Sequence, residues 1–281
     1  MENPQDYRPG TRMPAPWPFG NVSIKDVLDA DGTKQKQAVW MYLTDGTSAG
    51  IPAGVQKEAI VLTPEKEPIV YRNFIEGVSP RAIAVGYPEK INLCFDAESM
   101  SLALLWQNEF IDAGKHWIGR GPGNQRPLGD NVMSLPKGVS IATLDKPDAA
   151  WPTTPAAEQG YLFRGYRYNE LRQPTFLYSQ GDLQISDETV PVPSGRSKQF
   201  DFRRTLVLKS SASGSTVTYR AALGSKIEQQ GDFYVVDTFL KLKVSSTTGK
   251  PRLRQVNGKT ELLLDVELKN GEAKIEQIYS W

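Results

Sequence analysis

Within RPGTRMPAPWP (8–18) a single methionine, Met13, stands among four prolines. Proline fixes φ, so a thioether set between such neighbours is held in place rather than left to roam. Met13 is therefore either a surface feature or a ligand presented outward. A second group of chemically capable residues lies in FIDAGKHWIGRG (110–121), where Asp112, His116, Trp117 and Arg120 crowd together. Asp112 and His116, four apart, would share a face on a helix, but Gly114 and Gly119 predict an irregular loop. On a β-sandwich such a loop could form a sugar-binding shelf, with Trp117 stacked on a pyranose and Asp112 and Arg120 bonding its hydroxyls. The competing reading is a buried loop in which Trp117 is core and the Asp and Arg pair internally.

Other chemistries are limited by what the chain lacks. Cys94 is the one cysteine and His116 the one histidine, which excludes an intrachain disulfide and any zinc site of several thiolates. No G-x-S-x-G elbow supports a serine nucleophile. Asp96, Glu98, Glu109 and Asp112 are close in sequence, and would serve glycoside hydrolysis only if two of them stood about 5–10 Å apart in a cleft. GRGPG (119–123) resembles a phosphate cradle in composition, yet no Lys-Ser or Lys-Thr follows it. No catalytic set is assigned.

Thirty-three basic residues balance 32 acidic ones, so no global field draws the chain to nucleic acid or to an anionic membrane. The one basic cluster, RSKQFDFRR (196–204), reads as a solvated loop running into a strand. No run of about twenty apolar residues is long enough for a membrane span. The first thirty residues are polar and Pro-rich, unlike a secretory signal.

The elements that must position these residues fall into two parts. Ser23-x-x-Asp26 resembles a capping box, and Asp31 or Thr33 could cap a run at Lys34–Leu43, where Val39, Trp40 and Leu43 form an apolar stripe. After the Gly-, Ser-, Thr- and Pro-rich residues 46–57, read as a linker, the period changes to that of strands. Strands are predicted at 69–76, 81–87, 90–95, 101–106, 161–168, 174–180, 182–188, 202–209, 216–222, 232–244, 253–256, 261–268 and 274–281. Asn257-Gly258 and Asn270-Gly271 are hairpin signals between alternating strands. The expected fold is mainly β, a large antiparallel β-sandwich over 58–281 preceded by a short helical segment, with the halves 58–150 and 160–281 each contributing strands to both sheets.

The order of loop and helix carries a resemblance. NPQDYRPGTRMPAPWP followed by KQKQAVWMYL resembles the C-terminal part of a class I c-type cytochrome domain, in which the methionine of a G-T-[KR]-M-P loop is the sixth ligand of the haem iron. The resemblance implies haem c as cofactor and Met13 as its axial metal ligand. Arg12 and Pro14 would frame that ligand, and Ala38, Trp40, Tyr42 and Leu43 would belong to the terminal helix packed beside it. A thioether ligand raises haem potential. It covers only residues 1–45, and the C-x-x-C-H segment that attaches haem is missing, with Cys94 and His116 far apart. Either an upstream cytochrome segment or redox protein supplies it, so that the chain is the downstream piece of a longer protein, or the haem function has been lost. From Arg72 to Tyr178, RNFIEGVSPRAIAVGYPEKINLCF and later FRGYRYNELRQPTFLY are similar to the β domain beside cytochrome c modules in large extracytoplasmic proteins of planctomycete-type bacteria. That similarity implies electron transfer in the periplasm or outside the cell and supplies no catalytic residues. The reading is thus a cytochrome's Met-ligand segment joined to a partner- or ligand-binding sandwich. The alternative is a non-haem module that binds carbohydrate or protein, with an enzyme acting on polysaccharide third.

Overall fold

The computed structural model describes residues 28–44, 59–114, 124–196, 199–212 and 214–281. The chain divides into two compact units, Met1–Glu58 and Ala59–Trp281. In the first, a 3-10 turn at Leu28–Ala30 leads into helix α1 (Gly32–Thr44). Asp31 rather than Thr33 is its cap: Asp31 Oδ1 accepts the amides of Thr33 at 2.9 Å and Lys34 at 3.3 Å, so the helix starts two residues before the predicted Lys34. Gln35 is buried on it, whereas Val39 and Trp40 of the expected apolar stripe are exposed, as is Met41. The Ser23 capping box lies outside the described residues.

The second unit is built of strands. In chain order they are β1 (Val61–Leu62), β2 (Ile69–Arg72), β3 (Ala82–Gly86), β4 (Ile91–Asp96), β5 (Ser101–Gln107), β6 (Ile111–Asp112), β7 (Asp130–Ser134), β8 (Ile141–Ala142), β9 (Tyr161–Tyr168), β10 (Pro174–Gln180) and β11 (Leu183–Pro193). There follow β12 (Phe200–Lys209), β13 (Thr216–Gly224), β14 (Ile227–Gln230), β15 (Phe233–Val236), β16 (Leu240–Ser246), β17 (Pro251–Val256), β18 (Lys259–Glu267) and β19 (Glu272–Ser280). An eight-stranded sheet runs in the order β14-β15-β16-β19-β12-β11-β10-β9, a five-stranded sheet β2-β3-β4-β5-β7, a four-stranded sheet β17-β18-β13-β8, and β1 pairs with β6. Every strand pairing is antiparallel.

One apolar core joins the three larger sheets and makes the fold a β-sandwich. On the eight-stranded sheet, period two turns Leu183 and Ile185 of β11 and Phe202, Leu206 and Leu208 of β12 inward, where they meet Leu93 and Phe95 of the five-stranded sheet and Leu262, Leu264 and Val266 of the four-stranded one. Phe95 stacks on Phe176 at 4.1 Å between ring centroids. The five-stranded sheet is covered on its other face too, by a second cluster of Ile75, Cys94, Trp106, Phe110 and Ile111. Burial on both faces explains why AIAVG and INLCF are buried without a break and, Asn92 apart, read as apolar runs.

Three expectations need correction. The run 232–244 is two strands, because Asp237 and Thr238 take positive φ (47° and 72°) and turn the chain between β15 and β16. Asn257-Gly258 closes the β17–β18 hairpin, but Asn270-Gly271 joins strands of different sheets, since Leu268 hydrogen-bonds β13's approach at Ser215 and the chain then crosses to pair with β12. Among the described residues the half before residue 150 supplies no strand to the eight-stranded sheet; its β8 joins the four-stranded one instead.

Candidate functional site

Of the residues tied to haem ligation, Met13, Arg12 and Pro14 lie outside the described residues, and Trp40 sits mid-helix on α1, 66% exposed. Of the loop quartet, His116, Trp117 and Arg120 also lie outside them. Asp112 is described: at the end of β6 its Oδ1 accepts the backbone amides of Ile60 and Gly114, each at 2.8 Å. That carboxylate closes a turn and ties β6 to the segment entering β1.

The four clustered carboxylates do not all share one cleft. Asp96 and Glu98 line one cleft of about 600 Å³, while Glu109 lines a separate recess of about 390 Å³ beside Asp130. Asp96 is already engaged, accepting Ser79 Oγ and the Glu98 amide on one oxygen and Ser99 Oγ on the other. Cys94 is fully buried, and burial pushes its thiol far above the ordinary cysteine range, which keeps it in the protonated, unreactive form. Among the described residues no three His, Cys, Asp or Glu side chains gather as a metal site.

The strongest polar constellation is one that sequence reasoning missed. Arg204, read as part of a solvated run, is buried between the layers: Nε and Nη2 hold Asp187 Oδ1 and Oδ2 at 2.9 and 2.6 Å. Tyr178 donates to the same carboxylate at 3.2 Å, Arg204 Nη1 donates to the hydroxyls of Tyr219 (3.3 Å) and Tyr279 (3.5 Å), and Nη2 reaches Ser140 Oγ at 3.4 Å. Gln277 completes the group, accepting from Tyr219 and donating to the Ala221 carbonyl at 3.1 Å. Burial opposes charge on Arg204, but Asp187 outweighs it and holds the guanidinium's pKa well above its usual value; burial likewise raises the hydroxyls of Tyr178 and Tyr219. A bidentate pair whose remaining donors are also matched is a fixed tie between layers. The signal was present in the strand period: Arg204 falls in the inward register of Phe202 and Leu206, and Asp187 in that of Leu183 and Ile185.

A second ion network lies on the opposite face of the four-stranded sheet. Glu261 is buried between Arg220 (3.4 Å) and Arg254 (Nε at 2.8 Å), and Arg254 Nη1 also donates to the carbonyls of Pro147 and Ala149. Arg220 sits over the Trp151 ring at 4.6 Å. These contacts pin the segment after β8 against the sheet.

No protein-family model matches the chain, and no curated protein matches it.

Proposed function

We propose that this chain serves extracytoplasmic electron transfer as the Met-ligand segment of a c-type cytochrome, carried on a β-sandwich that binds a partner or ligand. The observation that supports the reading is α1: a helix capped at Asp31, with Ala38 and Trp40 in its middle, follows the Met13 loop in the order the cytochrome resemblance requires. The described residues do not themselves fit a haem site, since Cys94 is sealed in an apolar cluster. On this reading attachment and the proximal ligand are supplied by an upstream segment. What Met13 brings to a bound haem is a soft thioether that raises the iron's potential.

Reading the genomic sequence upstream of Met1 tests this directly, with an in-frame C-x-x-C-H and an export signal as the expected result. In the full protein, Met13→Ala should lower the haem midpoint potential and leave covalently bound haem unchanged, because sulfur ligation and thioether attachment are separate bonds. A stop codon and ribosome-binding site directly ahead of Met1, or an unaltered potential, would overturn the proposal.

A second reading, a sandwich that binds carbohydrate or protein without haem, is favoured by two exposed phenylalanines, Phe233 and Phe239, beside charged groups on the eight-stranded sheet.

A further inference from the structure

Asn257 and Asn270 each precede a glycine, and an asparagine so placed can react with its own backbone. The glycine nitrogen attacks the side-chain carbonyl carbon; the new C–N bond closes a five-membered succinimide while the Cγ–Nδ2 bond breaks and ammonia leaves. Water then opens the ring at one of its two carbonyls. One opening gives aspartate. The other gives isoaspartate, in which the main chain runs through the side-chain carbon and is longer by one methylene. Glycine favours the closure because no β-carbon stands in the way of its nitrogen. Solvent supplies everything else, a base for the amide proton and the water.

The structure separates two sites that share these letters. Asn257 and Gly258 are the exposed tip of the two-residue β17–β18 hairpin, at φ of 48° and 73°, with Val256 paired to Lys259 behind them. Among the described residues the Gly258 amide makes no hydrogen bond, and a β-carbon at Gly258 would meet nothing within 4 Å. At the other pair Gly271 is buried: its amide donates to the Leu268 carbonyl at 3.3 Å and its carbonyl accepts the Ser210 amide at 2.8 Å. An amide proton held by a carbonyl is withheld from base, and a corner tied to another segment opens less often than a free hairpin tip. We infer that Asn257 is a self-modification site, deamidating to isoaspartate and thereby releasing β17. That strand is the edge of its sheet and is hydrogen-bonded to β18 alone. Loop length fixes a hairpin's register, so a main chain lengthened at the tip shifts the ladder beside it. At stake are the pairs β17 makes, Arg252 with Asp265 and Arg254 with Glu261, each at 2.8 Å, and the hold of Arg254 on the carbonyls of Pro147 and Ala149. The site lies wholly in the second unit and does not depend on the haem reading.

The test is incubation of the full chain in warm, mildly alkaline buffer, native and in concentrated urea, followed by peptide mass spectrometry. In the native chain the small mass gain that marks loss of ammonia and uptake of water should accumulate several-fold faster at Asn257 than at Asn270. In urea, where only the shared Asn-Gly letters remain, the two should react alike. Equal native rates, a faster Asn270, or a native Asn257 that stays intact while the unfolded one is consumed would each overturn the site. Hydrogen exchange reads the release of β17: the isoaspartate form, separated by chromatography, should exchange amides 252–256 faster than the parent and leave β13 unchanged. Asn257→Asp, which adds the same charge on an ordinary main chain, should protect β17 as the parent does. An isoaspartate form as protected as the parent, or an equal loss of protection in Asn257→Asp, would overturn the lengthened main chain as the cause.

Discussion

Asp187 and Arg204 satisfy each other, and that mutual dependence makes their energetics asymmetric. Removing one leaves the other charged and dry, so Asp187→Ala should destabilise the protein by about 3–5 kcal/mol. Replacing both by apolar residues of similar volume, as in Asp187→Leu with Arg204→Met, should recover most of that loss. Urea unfolding of the singles and the double checks this, and a double variant as unstable as Asp187→Ala would show that the pair does more than neutralise itself. The two residues also mark the limit of reading a strand from its letters. FDFRRTLVL alternates visibly, but a charge in the inward register is unreadable as buried until its opposite charge is known to fall in the inward register of the neighbouring strand, Thr189 opposing Arg204. Asp112 carries the same lesson in reverse. Its type suggested a hydroxyl-binding role, and the structure gives it two backbone amides from residues 52 positions upstream and two downstream.

At the level of elements, the strands were legible because local period and turn residues decide them. The predicted 161–168 and 174–180 match β9 and β10 residue for residue. Short pieces such as β1, β6 and β8, two residues each, were not legible, since their pairing comes from distant chain rather than from any pattern of their own. Nor could two identical Asn-Gly pairs be told apart, although their surroundings differ. Both glycines have positive φ, 73° at Gly258 and 78° at Gly271, but a Cβ at Gly258 meets nothing within 4 Å whereas one at Gly271 would stand 2.4 Å from the Ser210 carbonyl oxygen. Gly258→Ala should therefore cost only the left-handed backbone penalty, about 1–2 kcal/mol. Gly271→Ala should cost clearly more, because it also displaces the carbonyl that neighbours the Ser210–Gly271 hydrogen bond. Equal losses on urea unfolding would mean that the chain at Ser210 yields freely.

For the molecule as a whole, the buried phenols set an alkaline limit. Burial raises the hydroxyls of Tyr87, Tyr161, Tyr178 and Tyr219 above the ordinary tyrosine value. An acid whose native pKa is raised lends stability that is complete below its unfolded pKa, about 10, and is lost as pH climbs above it. Tyrosinate absorbance from these four should accordingly appear in one cooperative step together with loss of the β-sheet circular dichroism signal. A gradual rise beginning near pH 10 that accounts for all eleven tyrosines while the sheet signal stays intact would contradict their burial. Three of these rings also cross between layers: the Tyr87 hydroxyl donates to the Thr189 carbonyl, Tyr161 to the Ile141 carbonyl and Tyr219 to Gln277. Grease alone would let stacked sheets slip by a notch at little penalty, because one aliphatic contact substitutes readily for the next. Three directional dowels at separate places remove that freedom, so the seating of the layers is set by a handful of oxygens and the oily residues around them are left at liberty to drift in identity.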